Sequence, residues 1–285
     1  METKIISPQG KEVIIGDGRP TILIGERINP FGKGPIKEAL LKGEMGPIHQ
    51  EAEQQAAAGA DILIISVNAF GVNERKVFPR VVDEIRRTVD IPLCLESRDH
   101  LALTQALQTG LGKPIISSVS GEEEHISRIL PLVKEYQTAV VLLASDENGI
   151  PKEPRQRVEI IKSILKQAES LGIPRENLLV DCVAESSAVN DKAIFSTLET
   201  MARIKTELGL NLVLGASNVS FGLPKRMVIN RAFISLAIQG GLNCAIVDAA
   251  KMKPTVMAVD LLLGRDPRAR RYTTYYRKLK SASVS

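Results

Sequence analysis

One pattern recurs eight times along the chain: a short apolar run, then a longer stretch with helical periodicity. The apolar runs fall at residues 21–25, 61–67, 91–96, 114–118, 139–144, 178–181, 211–215 and 243–247. Most are near-continuous, as expected for parallel strands buried on both faces. The stretches between them place apolar residues on one helical face. Residues 74–89 align Val77, Val81, Val82 and Ile85, and residues 154–171 align Val158, Ile161, Ile164, Leu165 and Ala168. Gly172 and Pro174 then stop that helix. Residues 190–208 and 225–239 follow the same logic. Eight such βα units predict an α/β protein of the closed (β/α)8 type, a TIM barrel. A doubly wound open sheet is the alternative, but it lacks a glycine-rich first turn. Gly110 and Gly112 precede a strand rather than open a helix, so they form no nucleotide fingerprint.

Residues 1–20 read as a small β-hairpin cap, with Asp17-Gly18 as the turn signal. No linker or second domain interrupts the pattern, so residues 1–285 are expected to form one domain. With no Trp and 4% aromatic residues, Val, Ile, Leu and Ala must fill the core. The 37 basic and 33 acidic residues leave a net charge of +4, too balanced for a nucleic-acid binder. The basic excess collects at residues 265–285, in Arg265, Arg268, Arg270, Arg271, Arg277, Lys278 and Lys280. This segment reads as a solvated basic tail, with docking to an acidic partner as the sharper alternative. No apolar run is long enough to span a membrane, and the first residues carry no signal-peptide core. Cys94, Cys182 and Cys244 are too scattered for a disulfide framework. A reducing, cytoplasmic protein is expected.

In a barrel enzyme the chemistry lies at the C-terminal ends of the strands. Those ends deliver Glu26, Arg27 and Asn29; Ser66 and Asn68; Glu96 and Asp99; Ser117; Asp181; Ser217 and Asn218; and Asp248. Such a ring of carboxylates, amides and hydroxyls suits a polar, neutral heterocycle. It does not suit a phosphate, because no Arg/Lys pair or glycine nest converges on it. Simpler roles stay open at each position. Asp181 is also placed to cap a helix, Glu96 to pair with Arg27 or Arg98, Asn29 to form a turn with Pro30, and Asn218 to order its own loop. His49, His100 and His125 fall away from the strand ends, which leaves no Ser-His-Asp or Cys-His arrangement. Cys94 shares strand parity with Glu96, but zinc-ligand spacing is missing and core thiols are the better reading.

The segment from Leu214 to Pro224 is the most informative about chemistry. It carries Asn218 just beyond an apolar strand, and an amide both donates and accepts hydrogen bonds. It can therefore follow a heteroaromatic nitrogen through a change of protonation. Together with Gly25-Glu26-Arg27-Ile28-Asn29-Pro30, Ala58-Gly59-Ala60-Asp61, Pro92-Leu93-Cys94-Leu95, Gly121-Glu122-Glu123-Glu124 and Gly149-Ile150-Pro151, it resembles the methyltetrahydrofolate:corrinoid protein methyltransferases. These share a pterin-binding barrel with dihydropteroate synthase and cobalamin-dependent methionine synthase. The resemblance covers residues 5–248.

The resemblance implies a methyltransferase acting between N5 of a tetrahydropterin and the cobalt of a corrinoid protein. The pterin is tetrahydrofolate or tetrahydromethanopterin, and the cobalamin is carried by the partner. No metal is implied on this chain. The position matching Asn218 hydrogen-bonds near N5, and the position matching Asp181 holds the pterin edge through paired donors; these are the expected catalytic residues. Glu26, Asn29, Ser66, Asn68, Glu96, Asp99, Ser117, Phe221 and Arg226 complete the expected substrate site. Several of them depart from the family pattern. Ser66-Val67-Asn68 stands for Asp-x-Asn, Glu96 for Asp, Asp99 and Ser117 for Asn, and Asp181-Cys182 for Asp-Pro. These departures leave room for two alternatives: a non-pterin methyl donor (a methylamine, betaine or methoxy compound), and a non-catalytic paralogue that binds a pterin or a partner. Loops at residues 67–74, 184–190 and 219–224 are expected to form the docking rim, with Phe70 and Phe221 as exposed aromatics. The family also implies a homodimer formed through helices away from the mouth. No basic pyrophosphate grip suggests dihydropteroate synthase.

Overall fold

In the computed structural model, which describes residues 1–30 and 34–282, the first two strands pair antiparallel: β1 (Glu2–Ile6) and β2 (Glu12–Gly16). Eight further strands close a parallel barrel. They are β3 (Ile22–Ile28), β4 (Ile62–Ser66), β5 (Leu93–Glu96), β6 (Ile115–Val119), β7 (Ala139–Leu143), β8 (Leu178–Asp181), β9 (Asn211–Gly215) and β10 (Cys244–Val247). The order is sequential, and β10 closes the ring by pairing with β3. The helices are α1 (Pro35–Lys42), α2 (Gly46–Ala57), α3 (Glu74–Thr88), α4 (His100–Leu107), α5 (Glu123–Glu135), α6 (Pro154–Ser170), α7 (Ala193–Arg203), α8 (Arg226–Gln239), α9 (Ala249–Leu262) and α10 (Arg270–Ala282).

Strand side chains alternate between two faces, and here the alternation separates two cores. Leu63, Ile65, Leu95, Ile116, Val180 and Leu212 point outward and pack under the helices. Ile24, Ile62, Ile64, Cys94, Ile115, Val141, Leu179, Val213 and Cys244 fill the interior of the ring. Ile5, Val13 and Ile15 of the hairpin join this inner cluster, so the hairpin plugs the end of the barrel where the strands begin. Asn211 fastens it, donating from Nδ2 to Thr3 Oγ1 at 3.0 Å and to the Ile15 carbonyl at 3.3 Å. Cys94 and Cys244 therefore sit in the inner core and Cys182 in the outer one; all three are buried free thiols.

Three segments depart from the expected pattern. The run at 21–25 continues as strand to Ile28, which carries Glu26 into the ladder. Residues 190–208 do not form one helix: α7 ends at Arg203, and a wider π turn, Ile204–Leu208, leads to Gly209 at φ 64°. The C-terminal segment is not simply a solvated tail. Arg265 Nη1 donates to Thr21 Oγ1 at 3.2 Å, Asp266 accepts the backbone N–H groups of Arg271 and Tyr272 at 2.9 Å each, and the chain continues as α10. Tyr275 of that helix takes the Lys253 ammonium over its ring at 5.4 Å.

Closure depends on a buried carboxylate near the end of α9. Asp260 accepts from the backbone N–H and the hydroxyl of Thr21, both at 2.8 Å, just before β3 begins. Arg265 and Arg271 lie 3.5 and 3.7 Å from it. Helix α9 is thus tied to the start of the first barrel strand across 239 residues of sequence. Asp260→Ala strands the two buried donors of Thr21 and takes the carboxylate from the half-buried Arg265, and is expected to cost about 3–5 kcal/mol in urea denaturation. Thr21→Val keeps the backbone donor and should cost only about 1 kcal/mol.

Candidate active site at the barrel mouth

A cavity of 540 Å³ opens at the C-terminal ends of the strands. Strand parity selects its wall. On each barrel strand one inner-core residue is followed two positions later by a residue that faces the cavity: Ile24 by Glu26, Ile62 by Ile64, Cys94 by Glu96, Ile115 by Ser117, Val141 by Leu143, Leu179 by Asp181, Val213 by Gly215 and Cys244 by Ile246. Arg27, Asn29, Ser118, Val183, Ala184, Ser217, Asn218, Phe221 and Arg226 complete the lining from the loops. At its edge, Gly25 allows helix α2 to come close: a Cβ there would lie 2.9 Å from Gln55 Oε1 and 3.0 Å from Leu63 Cδ2.

Three carboxyl groups face this space, and among the described residues none forms an ion pair. The expected partners of Glu96 are engaged elsewhere, since Arg27 lies 3.7 Å from Glu51 and Arg98 is 2.6 Å from Glu122. Burial raises the affinity of Glu96 for a proton; a hydrogen bond from Ser66 opposes this, and the nearby Glu74 charge adds to it. Ser66 is thus a buried support behind Glu96 rather than part of the cavity wall. Burial likewise raises Glu26, although Ser217 Oγ donates to its Oε1 at 2.6 Å. Asp181 is pushed up to about 6, chiefly by burial. The N–H groups of Val183 and Gly215 hold its charged form, while Glu96 works against it. Protein surrounds Asp181 on nearly every side, yet its edge remains open to the cavity. It does not cap a helix; the 2.7 Å bond from Val183 N belongs to the turn beyond β8.

Asn218 sits in a short 3-10 turn, Ala216–Ser220, rather than on the strand itself. Its side chain is exposed to the cavity and has no hydrogen-bond partner among the described residues; the loop is ordered by other groups. Arg226 donates from Nη2 to the Ser217 carbonyl at 2.8 Å and from Nε to Ser220 Oγ at 3.0 Å, with its guanidinium 5.7 Å from the Phe221 ring centre. Gly222, at φ +81°, makes the turn that follows.

Two expected site residues lie elsewhere. Asp99 is three residues past Glu96, beyond the strand, and it caps α4 by accepting from the N–H groups of Leu101 and Ala102 while pairing with Arg75 at 2.6 Å. Asn68, beyond the end of β4, is exposed and outside the lining. Phe70, at 96% exposure, projects from the same loop. Asp248 precedes α9 and pairs with Lys251 at 2.9 Å. The wall residues Val183 and Ala184 carry no chemical signal in the sequence, whereas Ile64, Leu143 and Ile246 were accessible through parity alone.

The fold and the site together are those of a barrel with a polar mouth at the strand ends. Residues 26–248 match the pterin binding enzyme family, and the chain belongs to it. It is 28% identical over 269 residues to the methylcorrinoid:tetrahydrofolate methyltransferase of Eubacterium limosum, covering 92% of this chain and 98% of that protein. It is also 28% identical over 250 residues to the methionine synthase of Mycobacterium leprae (strain TN), covering 83% of this chain but only 21% of that longer protein. Among solved structures, the 7,8-dihydropteroate synthase of Vibrio fischeri ES114 superposes with a TM-score of 0.71 at 16% identity, covering 93% of this chain and all of that one.

The raised Asp181 has a consequence for stability. A carboxyl whose pKa rises on folding stabilises the folded state below its unfolded value of 3.8, and that contribution is lost as pH climbs through about 6. Asp181→Asn keeps an acceptor for Val183 N–H and removes the charge. It is expected to stabilise the ligand-free protein at pH 8 by about 1–3 kcal/mol, with the gain shrinking toward pH 4. Urea denaturation at the two pH values measures this.

Proposed function

We propose that this chain is a methyltransferase moving a methyl group between the cobalt of a corrinoid protein and N5 of a tetrahydropterin. One observation carries the reading: two carboxylates without ion-pair partners among the described residues, Asp181 and Glu96, share a cavity with the Asn218 amide, which has no hydrogen-bond partner among them either. A buried polar group without a partner is costly, so such a wall favours a ligand that supplies the missing donors. The edge of a 2-amino-4-oxo pterin does so with a ring N–H and an amino group side by side. The full-length similarity to the Eubacterium limosum enzyme supports the same reading.

The residues take separate roles. Asp181 accepts the paired donors of the pterin edge, with its Oδ1 held by Val183 N–H. Glu96, steadied by Ser66, and Ser117 take further donors on the same side. Glu26, Asn29, Phe221 and Arg226 border the ring. Asn218 stands at N5, where its amide accepts from the protonated nitrogen and donates to the neutral one. Its contribution is to stabilise the charge that changes at N5 during transfer. The corrinoid supplies a cobalt(I) nucleophile, or in the other direction a methylcobalt donor. Holding the methyl group in line at the open mouth converts the encounter into an oriented displacement. Asn68 and Asp99 have no part in this.

The partner's approach is read at the rim of loops 67–74, 184–190 and 219–224, where Phe70 and Phe221 are exposed. One domain, residues 1–285, carries the whole site. A homodimer through helices away from the mouth would leave that rim free, and the buried free thiols suit a cytoplasmic setting.

Calorimetric titration with methyltetrahydrofolate tests the reading. The wild type should bind at micromolar levels, about −8 kcal/mol. Asn218→Ala should change binding less than about tenfold and lower transfer to cob(I)alamin by about 10²–10³-fold. No binding at millimolar pterin would remove folate as the methyl carrier. Methylation of cob(I)alamin by a methylamine, betaine or methoxy compound would then identify the donor class.

A further inference from the structure

We propose that Arg157 is a positioning residue for methyl transfer: it clamps the Cys182–Val183 turn in a left-handed conformation and so aims the Asp181 carboxylate at the cavity. The inference deepens the pterin reading and rests on it. Arg157 stands in the first turn of α6 and is fully buried, yet it is not part of the cavity wall. Its guanidinium is spent on one purpose. Nη1 donates to the carbonyls of Cys182 and Val183, both at 3.0 Å. Nη2 donates to Glu185 Oε2 at 2.6 Å, and Nε to the Pro151 carbonyl at 2.7 Å. Three bonds thus converge on residues 182–185, and the fourth fixes the guanidinium to the segment before its own helix.

The turn needs holding. Val183 has φ 60°, a region that a β-branched residue adopts only when its surroundings impose it. In that conformation its N–H points back to Asp181 Oδ1 at 2.7 Å, while Thr197 Oγ1 donates to its carbonyl at 2.9 Å. If the clamp were released, Val183 would relax to extended backbone and its N–H would turn away from the carboxylate. Asp181 would lose its nearest donor and its direction. Lysine cannot replace the fork, because one ammonium does not reach four acceptors spread over residue 151 and residues 182–185. The charged groups around Asp181 are Glu96 across the cavity, which opposes its ionisation, and Arg157 behind it, which favours it; the Cys182 thiol is adjacent and Glu185 is paired with Arg157.

The test compares Arg157→Lys with the double variant Arg157→Lys/Val183→Gly, titrated with methyltetrahydrofolate between about pH 5 and 8. Arg157→Lys should weaken binding about tenfold at neutral pH and move the acid limb of the binding profile up by about half a unit. Adding Val183→Gly should recover most of both, since glycine holds the positive φ without a clamp. A purely structural role would lower thermal stability with no such recovery. Unchanged affinity and acid limb in Arg157→Lys, or no recovery on adding glycine, overturns the proposal. If the wild type binds no pterin, the functional reading fails, and carbon-13 NMR titration of Asp181 in the ligand-free protein tests the clamp alone. Its midpoint should rise in Arg157→Lys and return with glycine; a constant midpoint overturns the proposal. Should Arg157→Lys not fold, Glu185→Ala, which frees Nη2, should weaken binding about two- to fivefold, and an unaltered affinity refutes the clamp.

Discussion

Burying a carboxylate without a direct ion pair costs more than a protein tolerates without a reason. This barrel does it with Glu26, Glu96 and Asp181 around a single mouth. Nearby cations exist but are placed elsewhere: Arg27 toward Glu51, Arg98 toward Glu122, and Arg226 on its own loop. The result is a wall that accepts hydrogen bonds without neutralising charge. Such a wall discriminates by chemistry. It offers acceptors to any ligand that presents donors along one edge. The cost of the unliganded state is carried by the rest of the fold, above all by the closure at Asp260 and by the two apolar cores.

The same parity that divides the cores builds the site. Every second residue of a barrel strand points inward, so a strand that contributes an apolar residue to the inner core presents its next inward residue to the mouth. Glu96 and Asp181 inherit rigid positions in this way, because Cys94 and Leu179 below them are immobile in the packed interior. Asn218 is built differently. It stands on a 3-10 turn braced by Arg226, with one end of its loop bonded to Ser186 through the Phe221 carbonyl at 2.6 Å. The carboxylates of the wall sit on strands, and the amide of Asn218 sits on a braced loop.

The barrel was legible because eight apolar runs alternate with eight helical stretches, and closed parallel sheets require that alternation. The Asp181, Glu96 and Ser117 positions were legible for the same reason, as polar residues ending apolar strands. Asp99 misled because a polar residue just past a strand is also a helix N-cap, and the cap won: Leu101 and Ala102 offer two free N–H groups at the start of α4. Asn68 lies past the end of β4, where parity no longer directs the side chain. The helical C-terminus was obscured by its charge, since nothing in a run of Arg and Lys reveals that Asp266 will cap it. The left-handed Val183 left no trace, because valine is among the residues least expected there.

In the resembling family a proline follows the aspartate, and a proline stiffens the backbone by fixing its own φ. Here Cys182 follows Asp181, so the turn loses that covalent restraint. The guanidinium of Arg157, with two bonds to the carbonyls of Cys182 and Val183, supplies a non-covalent one in its place. A restraint made of hydrogen bonds depends on burial, and Arg157 is fully buried. The peptide next to the Asp181 carboxylate is therefore held from both ends, its N–H by Asp181 itself and its carbonyl by Arg157, which lies outside the cavity wall, and by Thr197.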